Sequence, residues 1–200
     1  MKTFHLEGSK RANTGKKAAK TCRKESLIPC VLYGGDDVVH FTVSKDGIRK
    51  LIYTPEIHIV HLNIEGQVYT AVLKEMQFHP VSDALMHVDF LQIFENKPVV
   101  IDIPVALEGL AEGVKAGGKL SLEMRKIKVK GLYSNLPEKL VINIEKLGLG
   151  KTIQIGNLSF ENLELLNAKD NVVASVKLTR AARGAATTTT TAATTTTKGQ

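Results

Sequence analysis

The sequence predicts a mainly β protein with minor helix: a small N-terminal β-barrel carrying short helices, then a predominantly β second domain. Three observations lead there. Short runs rich in Val, Ile and Leu recur along most of the chain, each bounded by Gly, Pro, Asn or Asp. In the first half only two stretches combine a helix start signal with helical apolar spacing. The last twenty residues are mostly Ala and Thr with nothing aliphatic larger than alanine, so they cannot add to a core. The expected organisation is residues 1–94 as the barrel, 95–180 as the second β domain and 181–200 as a disordered tail.

Taken in order, Thr3 to Leu6 is a short strand. Asn13 or Thr14 caps a helix from about Gly15 to Lys24. Pro29 to Tyr33 is a strand stopped by Gly34-Gly-Asp-Asp37. Val38 to Val43 alternates like a strand. Ser44 then caps a short helix whose Ile48, Leu51 and Ile52 form one apolar face, with Pro55 beyond its end. Ile57 to Ile64 and Gln67 to Lys74 form a hairpin about Glu65-Gly66. Met76 to Phe94 reads as one long, mostly extended segment broken at Pro80. Asn96-Lys-Pro98 is the junction. Beyond it come Val99–Leu107, Leu120–Leu122, Ile127–Val129, Leu140–Ile144, Thr152–Ile155 and Val172–Leu178. Many short strands with two short helices suit a small barrel followed by a second sheet unit.

Composition narrows the function. At 43% apolar over 200 residues, the chain can bury a core. The net charge of +7 favours a polyanionic partner. That charge is clustered, because Lys10 to Lys24 holds seven basic side chains and no acid. Residues 1–25 lack the apolar run of a secretory signal, and no stretch is apolar enough to span a bilayer. The expected compartment is therefore the cytoplasm, with no membrane partner. Cys22 and Cys30 have neither Cys-x-x-Cys nor zinc spacing and read as reduced thiols.

Lys16, Lys20, Arg23 and Lys24 stand at i, i+4, i+7 and i+8, one basic stripe on the first helix. Lys10 and Arg11 extend the charge before it. Like charges so placed repel on an isolated helix, and a phosphate backbone would turn that cost into attraction. A solvated helix face is the plainer account, and it suits mixed charge better than seven bases without an acid.

Period two puts His87 and Asp89 on one face of a strand. Three chemistries fit the pair. As catalytic residues they would need a nucleophile, and no Gly-x-Ser-x-Gly appears. As metal ligands they would need His79 and more, and no cluster follows. As RNA readers they offer hydrogen bonds to base edges or 2′-hydroxyls, with Asp89 meeting a base amino group. A surface His–Asp pair is the plain alternative. Tyr33 could stack on a base or serve as a barrel-edge aromatic, Gln77 could reach a base edge or stay exposed, and His79 before Pro80 reads as structural. Gly113-Val-Lys-Ala-Gly-Gly118 matches neither the P-loop nor the dinucleotide fingerprint and reads as a turn.

Several strings together resemble the bacterial large-subunit ribosomal protein twenty-five family in its longer two-domain form, also called the general stress protein CTC family. They are Arg11 with Gly15-Lys16, Ile28-Pro-Cys-Val-Leu-Tyr-Gly34, Met76-Gln-Phe-His-Pro80 and His87-Val-Asp-Phe90. In the second domain they are Gly113 to Gly118 and Leu147-Gly-Leu-Gly150. Each is short, but their order and spacing agree up to about Arg180. The resemblance implies a first domain similar to the anticodon-binding barrel of glutaminyl-tRNA synthetase and binding to 5S rRNA at loop E. It implies RNA contacts at Arg11, Lys16, Lys20, Arg23, Tyr33, Gln77, His87 and Asp89. Neighbouring ribosomal proteins or 23S rRNA are the partners open to the second domain. Where the family often has Ser and adjacent arginines, this chain has Ala19, Lys20 and Thr21; lysine keeps the charge but loses the planar fork.

The expectation is a non-catalytic structural constituent of the large ribosomal subunit, needing no cofactor and no metal. The alternatives are a free stress-response protein that binds RNA or protein, and a His87/Asp89 hydrolase.

Overall fold

The computed structural model describes residues 2–35 and 37–179, and it is mainly β as expected. The Ala/Thr tail at 181–200 lies outside the described residues. The chain forms two compact units. One runs to Pro104 and includes Val129–Lys139; the other comprises Val105–Lys128 and the chain from Leu140 onward.

In the first unit, β1 (Lys2–Lys10), β2 (Leu27–Tyr33), β3 (Val39–Ser44), β4 (His58–Ile64), β5 (Gln67–Phe78) and β6 (Leu85–Gln92) close into a barrel. Their order is β1-β3-β2-β6-β5-β4, and β4 closes it by running parallel to β1. Closure gives each of the six strands a neighbour on both sides, though β1 and β3 pair only at Ser9–Thr42 and Lys10–Phe41. Alternate residues turn inward. Cys30 and Leu32 of β2, Phe41 and Val43 of β3, Val60 and Leu62 of β4, and Val88 and Phe90 of β6 fill the interior. Phe41 and Phe90 meet there with ring centroids 5.8 Å apart. Gly8 lets this core reach the β1 backbone, since a Cβ there would stand 2.7 Å from a Phe41 ring carbon.

Two helices attach to the barrel, α1 (Lys16–Lys24) and α2 (Lys45–Ile52). Ser44 caps α2 as its sequence indicates, its hydroxyl accepting from the Gly47 N–H at 3.2 Å. Ile48 and Leu51 of α2 are buried in the barrel core. The start of α1 differs from expectation. Neither Asn13 nor Thr14 caps it; Gly15 holds the N-cap position at φ 110° with no side-chain cap. That left-handed backbone favours glycine over Asn or Thr.

The expected long extended segment from Met76 to Phe94 is also corrected. β5 continues through Phe78, the chain turns over 79–84, and β6 returns antiparallel to β5. His79 organises that turn. Its backbone N–H donates to Ala84 O at 2.8 Å, and its Nδ1 accepts from the Val81 and Ser82 N–H groups at 3.3 Å each. Proline at 80 has no N–H to give a ladder, so a turn suits it better than a central strand.

Beyond the barrel lie β7 (Val99–Glu108), α3 (Glu112–Lys115), β8 (Lys119–Leu122), β9 (Lys126–Gly131), β10 (Leu140–Asn143), β11 (Thr152–Gln154), β12 (Glu164–Leu165) and β13 (Val172–Lys177). They make a four-stranded sheet ordered β10-β7-β9-β12 and a three-stranded sheet ordered β11-β13-β8. β9 alternates exposed Lys126 and Lys128 with buried Ile127 and Val129, so one face is wet. In β13, Val173 to Val176 are all buried, as a central strand covered on both faces requires. The Gly113–Gly118 loop serves packing. A Cβ on Gly113 would lie 2.6 Å from the Gly148 carbonyl carbon, so bare glycine lets two backbones touch.

Candidate nucleic-acid interface

The eight residues singled out from sequence fall on α1, on the chain just after β1, and on the outer face of β2, β6 and β5. Helix α1 packs against β2. Lys16, Lys17, Lys20 and Lys24 are exposed, whereas Ala18, Ala19 and Cys22 are half-buried towards the barrel. The helix has no acid in its first turn and ends on Arg23 and Lys24, which suits the negative end of its dipole. Backbone bonds from Glu25 to Thr21 and Cys22, with Ser26 at φ 59°, then turn the chain into β2.

Arg23 departs from the expected stripe. It is half-buried, and its Nε donates to Met86 O at 3.1 Å. A guanidinium thus ties α1 to β6, one residue before His87. Arg11 follows β1 and is half-buried. Its backbone N–H bonds His40 O at 2.8 Å and its Nη2 donates to Asn13 O at 3.2 Å. Both arginines are therefore held in place, while the lysines of α1 stand in solvent.

The outer face of the barrel gathers the rest. Tyr33 pairs with Leu91, Val31 with Asp89, Glu75 with Asp89 and Gln77 with His87. Inward Val88 and Phe90 fix these outward neighbours, because side chains alternate along a strand. Tyr33, Asp89, His87 and Gln77 thereby share one face of three adjacent strands, about 4.8 Å apart from strand to strand. The register on β5 shifts between Leu73 and Glu75, where Lys74 is the extra residue of a bulge. That shift brings Glu75 onto the same face, opposite Asp89. Across β3, His40 pairs with Val31 and is exposed. Sequence reasoning missed Glu75 and His40, since both depend on cross-strand register. The one sequence signal for Glu75 is the break in alternation at Lys74.

His87 Nδ1 lies 2.6 Å from Asp89 Oδ1, with side chains 29% and 24% exposed. A nitrogen that donates to a carboxylate must carry the hydrogen. In neutral His87 the Nε2 is then an acceptor, and it becomes a donor only when the ring is charged. Asp89 keeps a second oxygen for a base amino group. Burial first, then the Asp89 and Glu75 carboxylates, hold the Tyr33 phenol above its usual range. Its hydroxyl is thus a neutral donor beside two acids. This face offers donors and acceptors for base edges and 2′-hydroxyls, flanked by a helix of lysines for phosphates.

The geometry gives no support to chemistry on a metal. His79 spends its Nδ1 on the turn. No group of three or more His, Cys, Asp or Glu that could hold a metal comes together among the described residues. Both cysteines are free; burial pushes the Cys30 thiol well above its ordinary range.

Comparison with known proteins agrees along the chain. The model described as the Ribosomal L25p family matches residues 6–90, and that of the ribosomal protein TL5 C-terminal domain matches residues 98–180. A relative from Azobacteroides pseudotrichonymphae, named large ribosomal subunit protein bL25, is 68% identical over 184 residues. The match covers 92% of this chain and 97% of the relative. Proteins of the same name from Porphyromonas gingivalis and Bacteroides fragilis are 64% identical over 188 residues and 58% identical over 191. Each match covers 93% of this chain, with 98% and 97% of the respective relative.

Proposed function

The chain belongs to the ribosomal L25p family, in the form with a TL5-type C-terminal domain, and on that premise we propose that its barrel binds 5S rRNA at loop E. Membership makes it a structural constituent of the large ribosomal subunit, cytoplasmic and ribosome-associated, and not an enzyme. The finer reading concerns the RNA, the residues and the domain, residues 1–94, that carries them.

One observation supports it above the others: Tyr33, Gln77, His87 and Asp89 share the outer barrel face, and Arg23 ties that face to the lysine helix. Lys16 and Lys20 lie exposed for phosphates and supply affinity whatever the base sequence. Arg11 and Arg23 brace the loop and the helix, and present charge from fixed positions. His87, Asp89, Gln77 and Tyr33 select by hydrogen bonds and stacking. Loop E, rich in non-Watson–Crick pairs, presents reshaped grooves that this outer barrel face can meet.

The test is binding of the full chain to 5S rRNA, beside a loop E variant made fully Watson–Crick, across a salt series. Tight binding lost with the variant is the expected result. Equal and equally salt-dependent binding to both RNAs would reduce the barrel to a generic polyanion grip.

A further inference from the structure

We infer that a cleft at the end of the barrel, between α2 and the β5–β6 turn, receives one unpaired nucleotide of an RNA strand that runs along α1. The inference rests on the RNA-binding reading above, in that α1 brings the strand to the cleft.

The cleft is open, with a volume of about 590 Å³. Ile28, Ile48 and Leu85 supply its apolar lining, and Lys45, Arg49 and Tyr53 line it from the α2 side. Tyr53 is 69% exposed, more than any other Phe or Tyr among the described residues. Water surrounds most of that ring, and a planar base laid on it would remove the exposure. Arg49 is one helical turn before Tyr53 and Lys45 one turn before Arg49, so the three share one side of α2. Base stacking on an aromatic beside cationic side chains is how single strands are held without sequence preference.

Two further observations choose a nucleotide over a peptide. The cleft begins where α1 ends: the Lys45 N–H donates to Ser26 O at 3.0 Å, and Ser26 is two residues beyond Lys24. The exposed lysines of α1 therefore lead to Lys45 and Arg49. On the far wall, Ser82 and Asp83 offer a hydroxyl and a carboxylate, suited to base donors rather than to phosphates. Among the lining residues Lys45 and Arg49 are matched by Asp46 and Asp83, so the added positive charge comes from the α1 lysines beside the cleft.

The full chain is titrated with the single-stranded oligonucleotide hexaadenylate and followed through its backbone amides by NMR. Resonances of Arg49 to Thr54 and Ser82 to Leu85 should move. Tyr53→Ala should abolish that movement and weaken binding roughly 5- to 140-fold, the range of one base stack. Tyr53 is exposed, so the rest of the spectrum should stay in place. Movement confined to α1 and the outer face of β2, β6 and β5 overturns the inference. A parallel 5S rRNA titration keeps the two readings apart. A responsive cleft without loop E preference sinks the proposed function and leaves the cleft; loop E preference with a silent cleft does the reverse.

Discussion

His87 donates its Nδ1 hydrogen to Asp89 Oδ1 across 2.6 Å, two residues apart on one strand. The carboxylate thereby chooses the imidazole tautomer and the ring's orientation. Neither residue can be altered without changing what the other presents to a partner.

Asp89→Asn should therefore lower loop E discrimination by about 1–3 kcal/mol, as loss of one base-reading contact does. The salt slope should stay the same, because no phosphate contact is lost. Anisotropy titrations with native and Watson–Crick loop E check both statements. An asparagine protein with undiminished discrimination would remove Asp89 from the reading face.

Lys20→Ala should behave in the opposite way. The exposed ammonium carries charge without sequence information. Binding to every RNA should weaken alike, and the slope of log affinity against log salt should fall by about 1. A loss restricted to loop E would make Lys20 a base contact.

Stability should fall as the solution becomes alkaline. Burial raises the folded Cys30 thiol above its ordinary value near 9. The unfolded chain then releases its thiol proton first, and unfolding gains from each step in pH above that value. The contribution is complete below pH 9 and declines as pH rises through the raised value. Urea unfolding between pH 8 and pH 10.5 should show a falling midpoint, and Cys30→Ala should flatten the thiol part of that fall.

Phe90→Ala should cost about 3–5 kcal/mol, since the ring is fully buried against Phe41. Phe90 adjoins Asp89 on β6, so binding should weaken only where the barrel unfolds. Urea midpoints, with RNA titrations well below them, separate the two effects.

Much of the fold is legible in residue types. Ser44 before an apolar i, i+3, i+4 set predicts α2, and alternation predicts the shared face of His87 and Asp89. Register is not legible in this way. The bulge at Lys74 adds one residue to β5; alternation visibly breaks at Lys74-Glu75, but a period-two count does not say which of the two is the extra residue. Glu75 and the pairing of Gln77 with His87 follow from it. Arg23 lies at the boundary of its helix, where charge favours solvent and the Met86 carbonyl offers a bond. Only the neighbouring strand decides between them. The cap position of Gly15 is not legible because Asn13 and Thr14 are better caps in isolation, although the chain enters α1 through a positive-φ residue.

The β2–β6 pairing joins Cys30 to Val88, residues far apart in the sequence. β6 is the last barrel strand in the chain, and it carries both His87 and Asp89. As synthesis proceeds, α1 and its lysines emerge long before the strand that completes the sheet around them. Contacts so distant in sequence form late and together. On the proposed reading a half-made chain would adhere to RNA without discriminating among RNAs, and discrimination would arrive with closure, in one step.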